Sequence, residues 1–195
     1  MSHVTKSILV TSVITILLSL TLFSLPSFAK SAAINVGLTV GDKAPSLTVI
    51  DHNNKTVNID ELTAEKGLII LFFRSADWCP FCKKHLVEFQ GYAEKFKVLG
   101  YGVAAISYDN IKVLKSFTQK HNLTYPLLSD QSAATVKAYG ILNKDYKIGD
   151  DHYGLPYPGV VIINPAGNIE HKYFFKGYRK RVKFVELYQQ LNSTK

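Results

Sequence analysis

Cys79 and Cys82 are the only cysteines in the 195-residue chain, and two thiols at this spacing, in Trp78-Cys79-Pro80-Phe81-Cys82-Lys83, can open and close as a disulfide. They stand between an unbroken apolar run, Leu68 to Phe73, and a helical pattern opened by Pro80 and stopped by Gly100. The elements that must position them are therefore a buried strand and a helix N-terminus. Leu86, Phe89, Ala93 and Phe96 mark the inward stripe of that helix, and Cys82 extends it by one turn. Cys79 falls at the cap, where side chains reach solvent. The expectation is an asymmetric pair, with Cys79 exposed and Cys82 sheltered. Unpaired N–H groups at the helix start, with Lys83 and Lys84 in its first turn, favour a thiolate. Cys79 is accordingly assigned as the nucleophile and Cys82 as the resolving thiol.

Other uses of the pair fit less well. A structural zinc site needs four ligands, and the chain has no second CxxC and no histidine pair at metal-binding spacing. Attachment of a c-type haem needs His after the second cysteine, where this chain has Lys83. A permanent staple remains open, although so short a loop removes little chain entropy. No cofactor beyond the Cys79–Cys82 couple is expected, and no metal.

The first 29 residues read as an export signal, with Lys6 before an apolar stretch from Ile8 to Leu25 and a small-x-small site at Ser27-Phe28-Ala29. The apolar stretch is long enough that an uncleaved membrane anchor is the alternative. Either arrangement places the rest of the chain in the periplasm, in the medium or on the outer face of the cytoplasmic membrane, where disulfides persist. Residues 30–42 read as a linker and 43–195 as one domain. The formal charge of +8 is moderate, and export argues against a nucleic-acid partner. The densest basic cluster, Lys176 to Arg181, reads as a solvated face.

Along the domain, Leu47 to Ile50 and Thr56 to Ile59 flank turn residues as an N-terminal hairpin, and Asp60-Glu61-Leu62 starts a helix. Val103 to Ile106 is a buried strand, Asn110 to His121 a helix, Tyr125 to Leu128 an extended segment, and Ser132 to Tyr139 a short helix with Ser132 as its cap. Asn143 to Tyr157 lacks any period and reads as a loop. Val160 to Ile163 and Ile169 to Phe175 form a hairpin, and Arg181 to Leu191 closes the chain as a helix. The order gives an α/β sandwich around a mixed sheet.

The CxxC after an apolar strand, with Pro158 before Val160 to Ile163, resembles the thioredoxin superfamily. The leading hairpin, the long insertion before Pro158 and the phrase Phe72 to Asp77 resemble its peroxiredoxin-like branch, the alkyl hydroperoxide reductase/thiol-specific antioxidant (redoxin) group. The similarity covers roughly Gly41 to Leu191. It implies a thioredoxin-like fold, a cis-proline at Pro158 packed against the dithiol, and thiol-based oxidoreductase activity. Two departures stand out. The Thr or Ser and the Pro that bind peroxide in typical peroxiredoxins are replaced by Ala76 and Phe72 in the frame of Cys79, and by Cys79 and Ser75 in the frame of Cys82. The buried Asp that moves a proton in thioredoxin is replaced by Phe73, which leaves Asp77 or water for that task.

These readings favour a thiol-disulfide oxidoreductase acting on protein disulfides. A thiol-dependent peroxidase acting on hydroperoxides, and a binding module with an inert disulfide, are the alternatives; the first two need a thiol reductant or oxidant as partner. Trp78 is expected to shield the site, Pro80 to open the helix, and Arg74 to stabilise a thiolate or pair with Asp77. His152 and Asp151 are expected on a solvated loop.

Overall fold

The computed structural model describes residues 34–193. The expected signal at 1–29 lies outside the described residues. Residues 34–42, inside the stretch expected as a linker, lie against the domain. Ile34 N–H donates to the Phe174 carbonyl at 2.9 Å and Gly41 N–H to the Ile169 carbonyl at 2.8 Å, while Ile34, Val36 and Leu38 pack on the core.

One strand places the dithiol. β3 (Gly67–Phe72) is buried at every position, because it lies inside a seven-stranded sheet and is covered on both faces. The sheet order is β2-β1-β5-β4-β3-β6-β7, with β1 (Thr48–Asp51), β2 (Thr56–Asn58), β4 (Tyr101–Ser107), β5 (Leu127–Ser129), β6 (Gly159–Ile163) and β7 (Ile169–Phe174). β3, β4 and β5 run parallel, joined by α2 (Pro80–Val98) and α3 (Ile111–His121). The β1–β2 hairpin and the β6–β7 hairpin pair antiparallel at the two sides, which makes the sheet mixed.

Alternation along β3 sorts its side chains into two cores. Ile69 and Leu71 face α2, α3 and α5 (Phe184–Ser193), whereas Leu68, Ile70 and Phe72 face α4 (Ala134–Ala138) and residues Ala44 to Val57. α2 docks through Leu86, Phe89, Ala93 and Phe96, all fully buried and at helical spacing. Burial of Leu86, Phe89 and Phe96 contributes about 2 kcal/mol each. Truncating Phe89, which is stacked on Phe184, would cost about 3–5 kcal/mol.

The local details differ from expectation in three places. The closing helix begins at Phe184, which leaves Arg181 to Lys183 in the irregular segment before it. α1 (Ile59–Leu62) is a single turn capped by Asn58. Ser132 does not cap α4: its N-cap is Ala133, and the Asp130 carboxylate accepts from the N–H groups of Thr135 and Val136 instead. Asp130 outcompetes the serine because its two oxygens take two of the orphan donors at once.

Candidate active site

The dithiol sits where the parallel strands end, at the carboxyl edge of the sheet. After β3, residues 73–78 turn the chain and Cys79 becomes the N-cap of α2, with Pro80 following at the first helical position. The Cys79 sulfur accepts from Cys82 N–H at 3.2 Å, and the two residues are joined as a disulfide with Cα atoms 5.2 Å apart. The expected difference in exposure is absent: Cys79 is 1% exposed and Cys82 0%. Cys79 stands at the cap as anticipated, but it is packed into the same core cluster as Phe73, Ala76 and Cys82.

The turn is held from below by Asp109, just beyond the end of β4. Its carboxylate accepts from Ser75 Oγ at 2.8 Å, Ala76 N–H at 2.7 Å and Ser107 Oγ at 2.9 Å. Ser75 Oγ in turn accepts from the N–H groups of Asp77 and Trp78, and Ser129 Oγ donates to the Asp109 carbonyl at 2.6 Å. Burial pushes the Asp109 carboxyl up, and the hydrogen bonds from Ala76, Ser75 and Ser107 oppose that. Ser75 is thus fully engaged in shaping the turn. Asp77 is exposed.

Above the turn the character changes. Arg74 is 7% exposed, and its guanidinium lies 4.8 Å from the Trp78 ring centre, 5.8 Å from Tyr146 and 5.5 Å from Tyr178. It donates to the Tyr146 hydroxyl at 2.8 Å, and its Nε has no partner. The ion pair with Asp77 does not form; the salt bridges among the described residues are Lys55–Glu61, Lys97–Glu94 and Lys183–Glu186, all exposed. Arg181 approaches from the other side, its Nη2 donating to Cys82 Sγ at 3.6 Å. Burial, and then the Arg74 charge, lower its pKa to about 10. The Lys176 to Arg181 cluster is therefore more than a solvated face, because Arg181 reaches the disulfide and Tyr178 packs against Phe81 and Arg74.

Trp78 is held at both sides. Its Nε1–H donates to the Tyr108 hydroxyl at 2.9 Å, and His152 stacks on it at 4.7 Å. His152 therefore belongs to the site and not to a solvated loop, whereas Asp151 is exposed. Trp78, Phe81 and Tyr178, each between 37% and 44% exposed, lie beside the dithiol turn: Phe81 meets Tyr178 edge to face at 5.5 Å, and Arg74 lies over Trp78 and Tyr178. Pro158 is buried and directly precedes β6, level with the end of β3, where Phe72 pairs with Gly159. Its peptide bond is trans, since no cis bond occurs among the described residues. This corrects the expected cis-proline: trans is the lower-energy form unless packing imposes the other.

Sequence reasoning missed Asp109, Tyr108, Tyr146, Tyr178 and Arg181. Asp109 had a signal, because it follows a parallel strand and such strand ends gather at one edge where α/β folds place their sites. Arg181 lies 99 residues from Cys82, and nothing local marks their contact.

The chain resembles known proteins in sequence and in fold. The model of the AhpC/TSA family matches residues 40–172. A peroxiredoxin of Schizosaccharomyces pombe, bcp1, is 32% identical over 112 residues, which are 57% of this chain and 57% of that protein. A putative peroxiredoxin of Coxiella burnetii, bcp, is 30% identical over 125 residues, covering 64% of this chain and 78% of that one. The crystal structure of peroxidoxin BcpB from Mycobacterium tuberculosis superposes with a TM-score of 0.70 at 17% identity, covering 81% of this chain and 99% of that chain.

Proposed function

Because the chain belongs to the AhpC/TSA family, with a thioredoxin fold, we propose that it is a thiol-dependent peroxidase that reduces hydroperoxides through Cys79. This places the peroxidase ahead of the disulfide reductase that the sequence alone favours, because the relatives found are named peroxiredoxins. One observation carries the chemistry: two guanidiniums, Arg74 and Arg181, flank the Cys79–Cys82 turn, and among the described residues neither forms a salt bridge with a carboxylate. A thiolate formed at this helix N-terminus supplies the missing negative charge.

In the reduced protein the Cys79 thiolate attacks the distal oxygen of the hydroperoxide. An S–O bond forms, the O–O bond breaks, and the leaving alkoxide, or hydroxide in the case of hydrogen peroxide, takes a proton from water to become an alcohol or water. The Cys82 thiol then attacks the Cys79 sulfenic acid and releases water, closing the disulfide seen here. An external dithiol reopens it by exchange and is itself oxidised to a disulfide. Trp78, Phe81 and Tyr178 restrict access to the sulfurs, and Pro80 and Pro158 hold the helix start and the neighbouring strand end. Ser75 cannot polarise the peroxide while it serves Asp109, so the arginines are the groups left to do so.

The test is turnover of hydrogen peroxide and cumene hydroperoxide with dithiothreitol as reductant. Saturable turnover well above that of free dithiothreitol, lost in Cys79→Ser, is expected, together with a trappable sulfenic acid in Cys82→Ser. Turnover no faster than the free thiol in folded, reduced protein would overturn the proposal. The CxxC spacing and the missing Thr/Ser and Pro favour a second reading, thiol-disulfide exchange with protein substrates. Insulin reduction with no peroxide turnover would establish it. The domain is further proposed to work outside the cytoplasmic membrane after removal of residues 1–29, which N-terminal sequencing of the mature protein tests.

A further inference from the structure

α2 carries a buried ionisable side chain that the peroxide chemistry leaves unused. His85 lies one turn beyond Cys82 and is 4% exposed. Its ring stacks on Phe184 at 4.4 Å with an interplanar angle of 18°, and its Nε2–H donates to the Val182 carbonyl at 2.8 Å. Val182 is next to Arg181, whose Nη2 meets Cys82 Sγ. Residues 176–183, between β7 and α5, have no regular structure, and Gly177 within them adopts a positive φ of 81°. Such a segment has no backbone ladder to fix Arg181. Among the described residues, the side-chain hydrogen bonds that tie it to α2 come from His85 and Arg181.

We propose that His85 is a positioning residue: by holding the Val182 carbonyl it seats Arg181 over Cys82, so that the cation stabilises negative charge on the reduced dithiol. This rests on the reading that Cys79 and Cys82 are redox-active. The residue type suits the task. A flat ring fills the space against Phe184, and a single N–H reaches back to the carbonyl. The side chain must also stay uncharged, because a third cation beside Arg181 and Arg74 would push the segment away. Burial, and less strongly the charge of Arg181, hold the ring near a pKa of about 4 despite the carbonyl contact. The other ionisable groups at this junction are the two thiols on α2, Arg181 on the 176–183 segment, and Arg74 behind it on the β3–α2 turn.

The test titrates thiolate absorbance at 240 nm in the reduced, full chain, without peroxide or reductant turnover. In His85→Leu the first apparent pKa of the dithiol should rise by about one unit, a tenfold loss of thiolate below that pKa. Arg181→Met should raise it similarly. The double variant should shift no further than either single one, since both remove the same contact. His85→Gln keeps an amide N–H near the position of Nε2 and should restore the wild-type titration. Wild-type titration in His85→Leu, or a double variant equal to the sum of the singles, would overturn the proposal. If His85→Leu does not fold, His85→Gln and Arg181→Met decide it: a shifted titration in the first or an unshifted one in the second refutes it. Coupled titrations in a protein without peroxide turnover would leave the positioning role standing and remove the peroxidase reading alone.

Discussion

Below the Cys79–Cys82 turn, Asp109 draws together Ser75, Ala76 and Ser107, and the polar atoms around its carboxylate have partners. Above the turn, Arg74 and Arg181 each keep a buried Nε without one, and so does the Nδ1 of His152. Buried polar groups are ordinarily satisfied, because an orphan costs about 1–3 kcal/mol. The contrast therefore separates two jobs. The lower side is a scaffold whose hydrogen bonds close within the protein, and the upper side keeps donors and positive charge open, as the proposed thiolate requires.

The contrast is open to experiment. The largest effect falls at the boundary of the two sides: Cys79→Ser should abolish peroxide turnover in a coupled assay while leaving the denaturant midpoint near wild type. On the scaffold side, Asp109→Ala strands Ser75, Ser107 and the Ala76 N–H, and should lower stability by about 3 kcal/mol in urea unfolding. A midpoint unchanged in Asp109→Ala would mean that the turn is held by something else.

Acid should act through His85. Its folded pKa of about 4 lies below the ordinary 6.5, so between these values the unfolded chain binds a proton that the native state does not. Stability is full above pH 6.5 and should fall by about 3 kcal/mol as the pH drops to 4, a slope that His85→Leu should flatten in a pH series of unfolding midpoints. The smallest effect belongs to Arg74→Met, expected to slow peroxide reduction about tenfold, or about 1.4 kcal/mol of barrier. Its stability should hardly move, since an apolar chain among three rings replaces an unpaired charge. A large stability loss in Arg74→Met would place that arginine with the scaffold instead.

The two sides also differ in how far the sequence reveals them. The strand–turn–helix unit is legible because Leu68 to Phe73, Pro80, Gly100 and the stripe from Cys82 to Phe96 are local signals with a fixed period. The closing hairpin is legible from Asn164 to Asn168 for the same reason. The arginine side is not. Arg181 sits in a run of charges that reads as solvent-facing, His152 in a segment without period, and both arrive at the site through tertiary folding. The burial of Cys79 comes from its packing with Phe73 and Ala76 in the core cluster, whereas helical phase alone leaves a cap residue open. Pro158 was found at the right place in the sheet but in the other peptide isomer.

The segment 34–42 has a consequence for handling the protein. β7 is the last strand of the sheet, and Ile34 and Gly41 take up the carbonyls of its two terminal residues, Phe174 and Ile169, while Lys172 reaches Asn35 and the Val36 carbonyl. An uncovered outer strand offers its backbone to any neighbouring chain. A recombinant fragment begun at residue 43 would bare that selvedge and should precipitate on concentration, whereas one begun at residue 31 keeps its own hem.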